Sequence, residues 1–416
     1  MPGAHAMCNS AKAPKVNWVG VPSDFWHVRF LGLTLLISAE FRKQSRWGIV
    51  GVLRLILALL VVNEHCYNFK FEYPLGGGEA VQVFFAISGF YMAIILKNKY
   101  NSNLDFYINR YLRLYPSYLA VVVGSIAFFG VVTLVTHQMP PPFWIYEADR
   151  AMAPWQWALL QFSNFTMIGL DIPSLFHWSR ENGFLFLHYA NGDTAPDGAE
   201  WGGYFPWVRQ AWSIGTEIWF YMLAPFLVRK NIWLQLLVLM ASLILKIWMN
   251  HLEYSTYYAF PANLWLFMLG SILFNVQPVI IEKVERFSLV LIVCAFGACV
   301  VGGLIANPTI HQFAVMTVIA SIPLLFNRTL NNKWDNAIGE LSYPVYLLHI
   351  LVIAVLRTVF HVEGVVAASV VTVTIAYGMV RLIEDPVNRY RQRRHRNLMA
   401  KGAVDADLQA TNTPAG

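Results

Sequence analysis

Two residues in the apolar stretch from Trp47 to Cys66 set the chemistry to be explained. Arg54 is the single charge between Trp47 and Val62, and His65 follows eleven positions later, behind Asn63 and Glu64. On an α-helix, eleven residues rise roughly 16 Å and return to within about 20° of the same face. A guanidinium and an imidazole therefore share one helix face at two depths. The stretch is long enough to span a bilayer, which takes about twenty residues. Ionisable groups inside a span are costly and face a protein interior or a water-filled path. The bland reading is an arginine that snorkels and a histidine that caps the helix. The chemical reading is an anion held by Arg54 and a proton moved by His65, since an imidazole titrates near neutral pH.

Four further patterns carry polar groups into apolar sequence. Val83 to Phe90 contains Ser88 and Gly89, a small patch where another backbone can approach closely. Arg110 and Arg113 are three apart and share a helical face just ahead of Pro116. Their planar forks suit phosphate, against the plain alternative of a cytoplasmic anchor. Ser213, Glu217 and Tyr221 recur every four residues and form one polar stripe. Glu217 has no basic residue within a helical turn; Lys246 and Arg357 are its candidate partners from other spans. Ser342, Tyr346 and His349 share a face of a later span that opens near Leu341, which puts His349 near mid-membrane.

These patterns sit in a chain of 416 residues that is 57% hydrophobic and 13% charged, with a mean hydropathy of +0.47. Soluble domains carry about a quarter charged residues, so the fold class expected is all-α, a polytopic membrane bundle. Ten spans can be drawn between residues 46 and 386. A long segment at 137–209 separates the third and fourth, with a short semi-apolar piece, Trp155 to Leu170, that reads as re-entrant. Lys and Arg crowd the N-terminal segment, alternate links and the tail, while the opposite links hold only Lys70, Arg150, Arg180 and Arg209. By the positive-inside rule both termini are cytoplasmic and segment 137–209 is outside. Residues 1–45 read as a cytoplasmic extension with an interfacial helix over 25–41 and no cleaved signal peptide, and 387–416 as a basic, then polar, tail. Pro386 should end the last span. The net charge of +6 belongs to this topology and not to nucleic-acid binding. Cys8, Cys66, Cys294 and Cys299 show neither metal spacing nor a disulfide framework, so no metal is expected.

Arg54 with His65, the Val83–Phe90 segment, the Arg110/Arg113 pair, Trp212-Ser213 with Glu217 and Tyr221, Leu341-Ser342 through His349, and Glu384 with Pro386 occur in this order. Together they resemble the acyltransferase-3 family of bacterial multi-pass membrane O-acyltransferases, over about Trp47 to Pro386. The resemblance implies transfer of an acyl group, usually acetyl, from acetyl-CoA as cosubstrate to a hydroxyl of a sugar or cell-envelope polysaccharide. It implies a location in the bacterial inner (plasma) membrane and no bound cofactor. No esterase-like soluble domain follows the last span, so the membrane unit acts alone or with a partner. On this reading Arg54, Arg110 and Arg113 bind the donor phosphates. His65 is the general base or acyl carrier, with Glu217 orienting it as a carboxylate does in a triad. Ser88, Ser213, Tyr221, Ser342, Tyr346 and His349 line or support the channel, and Ser88, Tyr346 and His349 are candidates to donate to the thioester oxygen. The alternatives left open are a transporter or flippase of a glycan or lipid precursor without acyl transfer, and a non-catalytic glycan-binding or assembly protein using the Trp-rich 137–209 segment.

Overall fold

The computed structural model describes residues 51–66, 75–137, 152–179, 183–186, 199–287, 290, 297, 308–329 and 333–411. The expected interfacial helix at 25–41, Cys8, Cys294, Cys299 and nearly all of the seventh expected span lie outside these residues. Helices dominate: α1 (Gly51–Glu64), α2 (Gly77–Asn98), α3 (Asn103–Thr136), α4 (Pro154–Thr166), α5 (Trp212–Leu227), α6 (Ile232–His251), α7 (Phe260–Val284), α8 (Pro308–Thr329), α9 (Lys333–Phe360), α10 (Val365–Met379) and α11 (Asp385–Thr411). Among the described residues, six helical stretches are long and apolar enough to cross a membrane: α2, α3, α6, α7, α9, and α10 continued to Leu398.

The centre of the bundle is a close crossing of α2 and α7. A Cβ on Gly89 would lie 1.9 Å from the Phe267 carbonyl oxygen, and one on Gly270 would lie 1.9 Å from that of Ala86. Only glycine lets the two backbones meet there. Phe267 then stacks between Phe85 and Phe220, at ring separations of 4.7 and 4.4 Å. This ties α5 to the same centre.

A second crossing joins α1 to α9. The Asp335 carboxylate accepts from the Gly51 and Val52 amides, both at 2.9 Å, and so caps α1 from another helix. A Cβ on Gly51 would fall 1.8 Å from the Asp335 carbonyl oxygen, and one on Gly339 would fall 2.7 Å from Gly51 Cα. From this contact α1 and α9 run in the same direction.

The 137–209 segment is not purely helical, and the expected stop at Pro386 is corrected. Strands β1 (Phe176–Ser179), β2 (Gly183–Phe186) and β3 (Glu200–Trp201) form an antiparallel sheet in the order β2-β1-β3, with Gly183 taking a φ of +66°. Tyr118 of α3 holds this segment down by donating to the Asn164 carbonyl at 2.7 Å. Nor does Pro386 stop the chain. The backbone passes through a π-helical turn, Val380–Glu384, and Pro386 falls in the first turn of α11. The wider π-helical turn leaves room for the proline ring and its missing N–H, so the helix continues through Pro386.

Candidate active site

The C-terminal end of α1 and the middle of α9 bring two histidines together. The His65 and His349 ring centroids are 4.9 Å apart at an interplanar angle of 58°. His349 was expected near mid-membrane, well below His65. Its helix begins at Lys333 and not near Leu341, so the ring sits sixteen residues along α9, or roughly 24 Å. His65 lies fourteen residues from Gly51, roughly 21 Å. The two rings are therefore level.

Backbone carbonyls fix both tautomers. His65 Nδ1 is 2.9 Å from the Val61 oxygen and His349 Nδ1 is 2.6 Å from the Tyr346 oxygen. A carbonyl only accepts, so each Nδ1 carries the proton and each Nε2 offers a lone pair. His349 is fully buried and its Nε2 has no hydrogen-bond partner among the described residues. His65 is exposed at the last turn of α1, with Glu64 and Arg209 within Coulombic reach.

Glu217 does not orient His65. Its Oε1 accepts from Ser88 of α2 at 2.5 Å and from Tyr221, one turn along α5. Arg54 comes within Coulombic reach of this carboxylate from α1, together with Tyr91, Arg113 and Tyr221. Lys246 and Arg357 are occupied elsewhere, over the Trp265 ring and against Glu363 respectively. The Val61 carbonyl takes the orienting part that a carboxylate was expected to play.

The expected donors to a thioester oxygen have their protons committed. Ser88 donates to Glu217, the Tyr346 hydroxyl donates to the Gln210 carbonyl at 2.8 Å, and His349 Nδ1 donates to Tyr346. Ser213 lies 2.7 Å from the Tyr346 hydroxyl, and Gln210 Nε2 donates to the Leu347 carbonyl at 2.6 Å. This network clamps the start of α5 to α9 just before His349. Ser342 turns back on its own helix, donating to Gly339 at 2.7 Å. These residues support the site by packing and bonding.

Around Arg54 further arginines gather, with carboxylates among them. Arg113 has Glu384, Tyr91, Tyr221 and Glu340 in Coulombic reach, and Glu384 in turn accepts from Ser117 at 3.0 Å. None of Arg54, Arg110 and Arg113 forms a direct ion pair among the described residues. The Arg110 Nε is buried without a partner. Guanidinium groups gathered without direct carboxylate partners make a site for an added anion, because a buried charge is stable only when paired.

A family model described as an acyltransferase domain matches residues 48–381. The chain belongs to the acyltransferase-3 family. It is also similar to an uncharacterized protein of Aquifex aeolicus (strain VF5), with 24% identity over 202 residues, covering 45% of this chain and 91% of that one. No solved structure matches it. Membership brings acyl transfer in a multi-pass membrane protein and makes the histidine-to-arginine axis of α1 the place to look for it. Sequence reasoning missed the apposition of His349 to His65. It also missed the part of Glu340 and Glu384 in balancing Arg113. Their spacing gave no signal, since these partners are more than two hundred residues apart in sequence.

Proposed function

We propose that the protein moves an acyl group, acetyl in the first instance, from acyl-CoA at the cytoplasmic face to a hydroxyl of a sugar or cell-envelope polysaccharide at the outer face of a bacterial inner membrane. The ten-span layout with both termini inside belongs to this reading and rests on the Lys/Arg asymmetry. The observation that carries it is the His65 tautomer. A base needs a free lone pair, and the Val61 carbonyl leaves Nε2 with one. Arg54 stands eleven residues inward on the same helix, among cations suited to phosphates.

In this mechanism Arg54, Arg110 and Arg113 hold the CoA phosphates and the thioester reaches toward His65. His65 Nε2 takes the proton of the acceptor hydroxyl as its oxygen attacks the thioester carbonyl. The carbon–sulfur bond breaks, and the CoA thiolate leaves and takes the proton back from His65. A two-step route through an acyl-His65 intermediate uses the same groups. Glu217, held by Ser88 and Tyr221, balances Arg54 and keeps it in place.

Purified protein in detergent, given acetyl-CoA with and without a glycan acceptor, tests the reading by release of free CoA. Acceptor-dependent release that disappears in His65→Ala supports it. A wild-type protein that leaves acetyl-CoA intact, while envelope glycans from cells with and without it carry the same acetyl content, overturns it in favour of transport.

A further inference from the structure

The helix after the last span adds an arginine to the anion site. Arg391 lies on α11, in a stretch that reads in sequence as a plain basic tail, yet it is only 8% exposed. Its neighbours Arg389 and Arg393 are exposed. Nη1 of Arg391 donates to Asn388 at 2.7 Å, its Nε has no partner among the described residues, and it makes no ion pair there. The charges in its Coulombic reach are Arg110, Arg113 and Glu384, with the Tyr100 phenol beside them. Three guanidinium groups thus converge, and Glu384 is already shared with Arg113. A neutral amide on one nitrogen does not compensate the burial of a cation beside like charges.

A latch on α3 holds Arg391 there. Asp105 accepts from Arg394 Nη1 at 2.5 Å and from His395 Nδ1 at 2.9 Å, and Tyr100 packs edge-on to His395 at 5.2 Å. Arg391, Arg394 and His395 are three and four apart, so they occupy one face of α11. That face lies against the start of α3 with the chains running oppositely: Arg394 and His395 bond to Asp105, and Arg391 comes within Coulombic reach of Arg110 and Arg113 farther along.

We infer that Arg391 completes the phosphate-binding site for the acyl donor, and that Asp105 is the positioning residue that seats it. This rests on the donor reading of Arg110 and Arg113 given under the proposed function. The exposed arginines of α11 remain topology charges.

The test uses the full-length protein in detergent micelles and measures the dissociation constant of CoA, with 3′-dephospho-CoA as the second probe. Arg391→Gln should weaken CoA binding about tenfold to a hundredfold, the worth of a charge-assisted hydrogen bond. Arg391→Lys should recover part of the loss, and Arg389→Gln should bind as wild type does. Asp105→Asn should also weaken binding, but should add nothing in the Arg391→Gln background, which a general loosening of the fold would not reproduce. A smaller loss for 3′-dephospho-CoA than for CoA would assign Arg391 to the 3′-phosphate. An equal loss would assign it to the diphosphate. If Arg391→Gln binds CoA like wild type while Arg113→Gln does not, Arg391 is structural and the inference fails alone. If wild type does not bind CoA, the donor reading fails and takes this one with it. Should Arg391→Gln not accumulate as folded protein, Asp105→Asn decides: CoA affinity equal to wild type overturns the inference.

Discussion

The imidazole of His349 lies against that of His65, level with it and 4.9 Å away between centroids, each ring bound through Nδ1 to a carbonyl of its own helix. One ring is exposed and the other fully buried. The exposed ring can meet an acceptor, and the buried ring sets the wall against which it turns.

His65→Ala should therefore fold and bind acetyl-CoA but lose transfer by about 10²–10⁴-fold, the contribution of a positioned base. His349→Ala removes the wall and should lower kcat by about tenfold, with the donor KM unchanged. CoA release and donor affinity, measured on purified variants, separate the two. A His65→Ala enzyme within a few-fold of wild type would mean that the base lies elsewhere.

Arg113→Ala should raise the KM for acetyl-CoA about tenfold to a hundredfold through loss of a charge-assisted contact. Unchanged donor KM in the surviving protein, with only the yield reduced, would make the arginine a topology anchor.

Asp171, in the segment between α4 and β1, is 3% exposed and accepts from Trp219 Nε1 at 3.0 Å. Burial outweighs that bond and pushes its carboxyl up to about 6 from 3.8. The folded protein then keeps a proton that the unfolded chain releases between those values. Stability is greatest at the acid end of this window, falls as pH rises through it and levels off above about 6. The loss is about 3 kcal/mol for a shift of this size. Asp171→Asn keeps the acceptor for Trp219 and should flatten the slope. Melting curves from pH 4.5 to 7.5 that fall equally steeply in both proteins would contradict this.

Gly51→Ala drives a Cβ into the Asp335 carbonyl and should cost about 1–3 kcal/mol or more. Size-exclusion profiles and thermal melts of the detergent-solubilised protein read this out. A variant as stable as wild type would show that the α1–α9 contact yields easily.

For orientation, a cysteine at Asp193 should react with an impermeant thiol reagent on intact cells and one at Asn332 should not. Labelling in the opposite pattern would invert the donor and acceptor faces.

The spacing of Arg54 and His65 was legible because one helix carries both and its period relates them. Ser88 and Glu217 were each visible as polar intrusions, but their bond joins residues 129 apart, and nothing local pairs them. His349 was misplaced in depth because the apolar run near Leu341 hid the polar first turns of α9, which start at Lys333. Pro386 was misread because the π-helical turn before it absorbs the change of pitch, something composition does not disclose. Arg391 looked like any tail arginine, and only its spacing to Arg394 and His395 hinted at a buried face.

The contact of Gly51 with Gly339 has a mechanical meaning. It is a shared fulcrum at one end of two parallel rods, and the histidines ride at the far end of α1 and midway along α9. Over roughly 18 Å of helix, a change of about 5° in the angle between the rods shifts one ring past the other by about 1.5 Å. Arg54 sits three residues from that fulcrum, so a donor bound there, as proposed, would press close to it. Filling the inner site and setting the gap between the rings would then be one motion, with Asp335 as the pin.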